Sequence, residues 1–525
     1  MIAVHAGAGY HSPALEAAYK RDLATACRAG VAVLEAGGDA LEAVAAAIRV
    51  LEASPHCNAG DGSNLSFGGV VECDASVMAG DGAFGAVAAA PGIQHPVEAA
   101  ALLAQEGKQP LSHGRVRPMM LAGDRAREWA LSRGLAAAAS RADAAVMHLT
   151  DRSQRQWHKY RRIVDGRDDS PVDGASTPGS PGGSRAAHCG QLAGGQQAEQ
   201  QGPPRQQQPS AGPPLKRSRT QSSHRAVDDQ GQQPVGQAVR APAADKCADC
   251  LYDTVGCVAL APGGGVAAGV SSGGIVLKME GRVGEAAVYG AGCWAQQPGS
   301  SSGSPAAAAS PKDVPAAAGR QGDQPPAGAS LACSVTGVGE RVMQHLLARE
   351  LCRAASGAGS AGPAGIAGAP EGQEPAEPAL DEVAAALLRR TILLGPAPHD
   401  CGLLCLRAQP LGSSGGGSSG GGGSPTGCQT GSRAGRAGQP PHQQRVAVEV
   451  AVAHSAQSMA FAHMACPAQP PASTGNGAHA SSSKAATGSA PPPVPAVRIL
   501  RRSNGSTDQT AEPVQTYLHG ITLHV

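Results

Sequence analysis

Aromatic side chains are almost missing from this chain, which has three Phe, three Trp and six Tyr among 525 residues. A core without them has to be built from Ala, Val and Leu. A surplus of charge is missing too: 42 Lys and Arg stand against 41 Asp and Glu. That excludes a general nucleic-acid binder held by a basic surface. No apolar run reaches the length of about 18 residues that a spanning helix needs, so no membrane partner is expected. The opening MIAVHAGAG has neither a charged leader region nor an apolar one, and no standard secretory signal is expected. The 14 cysteines follow no repeated spacing, which favours reduced thiols over a disulfide framework. Cys247 and Cys250 form a CADC pair, but no second pair of matching spacing follows to complete a metal site.

What the chain does have is Gly (72) and Pro (41), and they are clustered. Segments 166–246, 296–330, 354–378, 410–444 and 466–495 are rich in Gly, Ser, Pro, Gln and Ala with few large apolar residues, and they are expected to be disordered insertions. Roughly three fifths of the chain remains as one interrupted core domain. Apolar periodicity predicts a strand at 2–5 before a Gly-rich turn, then helices over 15–52 broken at GGD. Strands are predicted at 69–77 and in FGAVAAA, with helices at 96–106 and 123–134. A hairpin over 254–271, a Gly-rich turn at 334–338 leading into a helix and a helix over 380–394 follow. GLLCLRAQ, RVAVEVAVAH, SMAFAHMA and AVRILRR supply late strands. Such an order implies an α+β layered domain, two packed sheets with helices outside.

Thr254 heads an apolar run within CADCLYDTVGCVAL. A threonine hydroxyl is a weak nucleophile until a base takes its proton, and that base can be its own α-amine once the preceding bond is cut. An α-amine has a pKa near ~7.7–8, so part of it is neutral and able to accept the proton. Cleavage of Asp253–Thr254 would leave Thr254 as an N-terminus at a strand head. Locally, the same residues are equally those of a structural threonine after a loop.

Five stretches in fixed order say more: VHAGAGYHS, SPHCNAGDGSNLSFGGVVECDAS, DTVGCVAL with AAGVSSGG, GRVGEAAVYGAGCWA, and TGVGERV. Together they resemble the type-2 asparaginase family of N-terminal-nucleophile hydrolases, and within it the threonine-aspartase branch. HAGAG, SNL, ECDAS and SSGG favour that branch. The resemblance spans nearly all of the core and little of the insertions. It implies a four-layer αββα sandwich and a precursor that cleaves itself at Asp253–Thr254, giving subunits 1–253 and 254–525. It further implies Thr254 as nucleophile, Ser272 as an assisting hydroxyl, and Thr336 and Gly337 as oxyanion donors. Arg282 would bind the substrate carboxylate through its guanidinium fork. Asn58, Gly7 and Gly9 would line the nucleophile's pocket, and neither metal nor cofactor would be required. Glu285 stands where asparaginases carry an Asp that holds the substrate's free α-amine, and where the threonine-aspartase branch has lost the acid. It keeps an amino-acid amidase in play, with a solvated Glu as the plain alternative.

The expected activity is a self-processing threonine endopeptidase that cuts protein substrates after Asp. The expected assembly is a heterodimer of the cleaved subunits that dimerises further. An asparaginase or isoaspartyl peptidase on the same fold is the first rival, and an inactive scaffold the second. Two basic clusters, 151–165 and 213–223 with its centre at 215–219, match the region that holds a two-part nuclear signal in the threonine-aspartase branch. A nuclear and cytoplasmic location is expected from them. The IVDG stretch at 163–166 suggests a second self-cleavage at Asp165–Gly166.

Overall fold

A computed structural model describes residues 1–167, 254–299, 328–356, 378–393, 400–411, 445–466, 493–501 and 514–524. They fall within one unit, Met1–Asp169 with Cys247–Val525, while a second unit, Ser170–Lys246, lies outside them. Apart from their end residues, the five low-complexity segments also lie outside the described residues. So do Asp253, Cys247, Cys250 and the basic cluster 213–223.

The strands are β1 (Ile2–Gly9), β2 (Cys73–Ala79), β3 (Phe84–Ala90), β4 (Met120–Ala122), β5 (Val255–Leu260), β6 (Val266–Ser272) and β7 (Cys293–Gln296). They continue with β8 (Ser330–Gly337), β9 (Cys401–Pro410), β10 (Arg445–His454), β11 (Ser458–Met464), β12 (Ala496–Arg501) and β13 (Gln515–His524). The helices are α1 (Glu16–Glu35), α2 (Ala40–Glu52), α3 (Pro96–Gly107), α4 (Gly123–Ser132) and α5 (Arg141–Val146). After them come α6 (Asp151–Val164), α7 (Gly339–His345), α8 (Leu347–Ala355) and α9 (Leu380–Leu393). The GGD break sets the start of α2, where Asp39 accepts from the Glu42 N–H at 2.8 Å and the Glu42 carboxylate accepts from the Asp39 N–H at 3.0 Å.

Eight strands form one sheet in the order β12-β11-β1-β5-β6-β2-β3-β4, and five form the other, β13-β10-β9-β8-β7. The period of two in each strand decides what each face buries. Ile2, Val4, Val255, Cys257 and Ala259 point toward α1–α3, where they meet Leu23, Val44 and Ile48. Their neighbours Ala3, Val258 and Leu260 point the other way, against Leu331, Val335, Leu403 and Val450 of the second sheet. α8 and α9 cover the far side of that sheet through Leu347, Leu351, Leu380 and Leu388. The result is an α+β, four-layer αββα sandwich. Strands buried on both faces read as unbroken apolar runs, which is why VGCVAL shows no polar alternation.

Strands from the two sides of position 254 interleave. β1 pairs antiparallel with both β11 and β5, and β2 pairs with β6. A cut before Thr254 would therefore leave two chains joined through sheet ladders and a common core.

The structure departs from the sequence reading at several places. The strand expected from Gly69 begins at Cys73, because Ser66–Val70 closes into a turn, with Ser66 N–H on Val70 O at 2.8 Å and Gly69 at φ 84°. The Gly-rich turn expected at 334–338 is instead the end of β8. The helix after it breaks in two at Leu346, which adopts φ 45°. β4, β7 and β13 were not expected.

Small residues let the layers approach. A Cβ on Gly85 would stand 2.0 Å from the Ala100 carbonyl and 2.5 Å from the Ala104 nitrogen, both main-chain atoms of α3. Gly85→Ala should therefore destabilise the fold by about 1–3 kcal/mol or more, since backbone cannot rotate aside. Gly107→Ala, at the end of the same helix with open space around it, should lie close to wild type. Urea unfolding of both variants checks the difference.

Candidate active site

The β5–β6 hairpin sets the first pair of site residues. Val255 pairs with Ser271, so the residue before β5 meets the last residue of β6. The separation of 18 residues between Thr254 and Ser272 is thus the length of hairpin needed to place two hydroxyls across a ladder. Thr254 Oγ1 lies 3.1 Å from Ser272 Oγ, and both residues are buried. The Ser272 hydroxyl also accepts from the Gly274 N–H at 3.0 Å.

Glu285 follows the turn after β6, and its side chain returns to the same hydroxyl. The Thr254 O–H donates to Glu285 Oε1 at 2.8 Å. On the other side, the Thr254 N–H donates to Thr336 Oγ1 at 3.3 Å, and the Ala8 N–H donates to that oxygen at 3.4 Å. With both lone pairs of Thr336 engaged, its hydroxyl proton is available only for donation. Gly337 adjoins it at φ 152°, next to Asp400 and Cys401. Thr254, Ser272, Arg282, Glu285, Gly337 and Asn58 come together around a small cleft of about 180 Å³.

Arg282 is split between two surroundings. Its Nε and Nη2 donate to the two Glu340 carboxylate oxygens at 2.9 and 2.8 Å, a bidentate pair at the mouth of the cleft. Its Nη1 is buried beside Gly274 and Gly284 without a hydrogen-bond partner. A buried donor left over on a guanidinium fits a carboxylate brought from outside. At Gly339 a Cβ would stand 2.5 Å from Glu285 Oε2 and 2.7 Å from Arg282 Nη2, so any larger residue would displace both side-chain tips.

Asn58 acts from beneath. Its Nδ2 donates to Gly274 O at 2.8 Å, and its Oδ1 accepts from the Asn64 N–H at 2.8 Å. Asn64 Nδ2 reaches the same Gly274 oxygen at 2.9 Å. The loop that carries both asparagines is braced by α6, where Trp157 Nε1 donates to Ser66 O at 2.9 Å and Arg161 Nη1 to Phe67 O at 2.9 Å. Gly7 and Gly9 are not walls of the cleft. Gly7 N–H donates to His5 Nδ1, Gly9 O accepts from Ser458, and Ala8 between them touches Thr336. Asp165 closes the end of α6, where Arg161 holds its carboxylate at 3.1 Å. Among the described residues no group of three or more His, Cys, Asp or Glu is placed to hold a metal ion.

Sequence reasoning missed four contributors. His5 is buried under the site, with Nε2 2.9 Å from Ser334 Oγ. Asn64 and Asp74 stand inside the quoted NAGDGSN and ECDAS stretches, which were the signals available for them. Asp74 accepts from Gly284 N–H at 2.8 Å and Ala89 N–H at 2.7 Å, fixing the loop that carries Arg282 and Glu285. Glu340 lies in TGVGERV, but its pairing with a residue 58 positions earlier has no local signature.

Burial dominates the electrostatics. It pushes the Glu285 carboxyl from an ordinary 4.5 up to about 7, while the Thr254 hydrogen bond and the Arg282 charge pull back. Asp74 is raised by burial as well, against Lys278 and its two N–H donors. Burial pushes His5 down to about 3, so its imidazole is neutral at ordinary pH. The ten described cysteines are free thiols, and nine of them are buried. Chemically, the arrangement offers a buried hydroxyl nucleophile, a carboxylate able to take its proton, a second hydroxyl, fixed donors and a carboxylate-binding guanidinium.

A family model described as asparaginase matches residues 1–180 and 190–304. The isoaspartyl peptidase of Salmonella typhimurium is 36% identical over 142 residues, 26% of this chain and 42% of that protein. An isoaspartyl peptidase/L-asparaginase of Danio rerio is 38% identical over 109 residues, 21% of this chain and 35% of its own length. The Homo sapiens protein of that name is 38% identical over 108 residues, 20% and 35% respectively. The chain spans roughly a third to a half of the length of the curated relatives it matches.

The raised pKa of Glu285 links stability to pH. Its folded-state pKa is raised, so folding favours the protonated form. The contribution is full below pH about 4.5 and is lost as the pH climbs through about 7. Chains carrying Thr254→Ala, which lack a contact that lowers this pKa, should lose stability between pH about 5 and 8. Adding Glu285→Gln should remove up to roughly 3 kcal/mol of that loss. Denaturation at several pH values checks this, and identical pH dependence with and without Glu285 would contradict it.

Proposed function

The chain belongs to the asparaginase family, and we propose that within it this protein is a self-processing threonine endopeptidase. It opens its own Asp253–Thr254 bond and then cleaves protein chains after Asp. The observation that carries the reading is the contact set of Thr254: its hydroxyl between Glu285 and Ser272, and its nitrogen on Thr336. In the first step Thr254 Oγ attacks the Asp253 carbonyl, the peptide shifts from nitrogen to oxygen, and water hydrolyses the ester. In the mature site the freed α-amine takes the hydroxyl proton, Ser272 assists it, and Thr336 with Gly337 faces the developing oxyanion. Arg282 Nη1 receives the Asp carboxylate of the substrate.

Glu285 serves either reading, endopeptidase or amino-acid amidase: one of its oxygens accepts from the nucleophile's hydroxyl, and a carboxylate has a second to offer a substrate ammonium. The relatives named isoaspartyl peptidase and L-asparaginase favour the second reading, a small-substrate hydrolase on the same fold. The cleaved subunits would stay together as a heterodimer, because the sheet ladders cross the cut, and such pairs would dimerise further.

Gel analysis of the wild type and Thr254→Ala should give two fragments and one intact chain respectively. The wild type should then cut a peptide containing Asp-Gly and leave free asparagine and isoaspartyl dipeptides untouched. Hydrolysis of those small substrates without peptide cleavage would establish the second reading, and an uncut, inert wild type would establish a scaffold.

We also propose nuclear entry. The basic clusters 151–165 and 215–219 would form the two parts of the signal, and within the first Arg152 and Arg161 donate to the carbonyls of Gly62 and Phe67. Deleting Lys216–Arg219 should abolish nuclear accumulation of a fluorescently tagged chain, and unchanged accumulation would sink the idea.

A further inference from the structure

A self-cleaving threonine faces a difficulty that the mature enzyme does not. Before the cut its nitrogen belongs to an amide, whose lone pair is delocalised and accepts no proton. The α-amine that serves as base afterwards does not yet exist, so another group must take the Thr254 proton in the uncut chain.

Two side chains lie within hydrogen-bond reach of Thr254 Oγ1 among the described residues. Ser272 Oγ at 3.1 Å is a neutral hydroxyl and a poor base; Glu285 Oε1 at 2.8 Å is a carboxylate. The remaining titratable groups nearby are engaged elsewhere. His5 Nε2 lies against Ser334 Oγ, and the Asp74 oxygens accept from Gly284 and Ala89. Arg282 and Glu340 hold each other. Glu285 is itself buried and positioned by its surroundings, since Gly339 leaves room for its Oε2 only because no Cβ is there.

We propose that Glu285 is the general base of the self-cleavage itself, a role that rests on the self-processing reading above. Glu285 Oε1 takes the Thr254 hydroxyl proton as Oγ forms its bond to the Asp253 carbonyl carbon, and the carbonyl oxygen becomes the oxyanion. Collapse of that intermediate breaks the bond from carbon to the Thr254 nitrogen. The same proton passes from Glu285 to the departing nitrogen, leaving an ester and a free amine. Water then hydrolyses the ester to the Asp253 carboxylic acid and the Thr254 hydroxyl. The longer arm of Glu, compared with the Asp that asparaginases carry at this position, accounts for its reach to the nucleophile.

Newly synthesised chains from a cell-free translation pulse allow the cut to be timed. Glu285→Gln should slow cleavage by ~10²–10⁴-fold, the usual worth of a general base, with melting at pH about 4.5, where Glu285 is protonated, like that of the uncut Thr254→Ala chain. The wild-type rate should rise with pH to a plateau as Glu285 loses its proton, and Glu285→Gln should lack that rise. The titratable and charged groups facing Glu285 are Arg282, Asp74 and Cys401. Asp253→Asn should keep the rise, which removes the Asp253 carboxyl as its source. Glu285→Ala should recover cleavage when formate is added, which a merely structural role would not permit. Glu285→Gln cutting at the wild-type rate with the same pH profile, while Thr254→Ala stays whole, would overturn the proposal and leave self-processing intact. Thr254→Ala cutting like the wild type would remove the self-processing reading itself.

Discussion

The hydroxyl of Thr254, buried and held between a carboxylate and a second hydroxyl, is the contact around which the site is arranged. It requires β5 to start at a fixed point between β1 and β6, because the ladder partner of that point is Ser272. It also requires β8 to arrive from the other sheet, so that Thr336 can receive the main-chain nitrogen. A site drawn from both sheets of a sandwich can hold its geometry only if the sheets do not slide. The interlocking of Val258 and Leu260 with Leu331, Val335 and Leu403 supplies that restraint.

Placing Glu285 in such a core costs solvation, and the raised pKa expresses that cost. The protein offsets it locally. The Thr254 hydrogen bond and the Arg282 charge lower the carboxyl's pKa, while Asp74, fixed by two backbone donors, raises it further. Arg282 in turn spends two of its donors on Glu340, a half-exposed residue, and keeps Nη1 inside. A guanidinium anchored on its solvent side and open on its inner side is preorganised for one more anion.

Much of this was legible in the sequence, for reasons that differ by element. The β5–β6 hairpin was readable because a buried strand is a continuous apolar run and PGGG marks its turn. The residues Thr254, Ser272, Arg282 and Glu285 could be named because their motifs occur in order, but only folding gives the distances between them. The break at Leu346 was not readable: Val342, Met343, Leu346, Leu347 and Leu351 fit one unbroken helix as well as two. Docking of Leu347 and Leu351 in the core decides for two. β13 did carry a signal, since Tyr517, Ile521 and Leu523 alternate and pack on the core. Glu340 carried none, because an ion pair between separate elements depends on the finished fold.

The role of Glu285 bears on what the proposed cut would do to the site. An uncut chain has the carboxylate and no amine; a cut one has both within a few atoms of the same hydroxyl. The new ammonium would favour the ionised carboxylate and lower its pKa, which weakens Glu285 as a base as the amine becomes available to replace it. On this proposal the base would change hands as the bond opens, with no movement of the sheets. The interleaving of β1 with β5 and of β2 with β6 would hold the two new chains in register. A fold with the nucleophile on an edge strand would have let the freed end peel away.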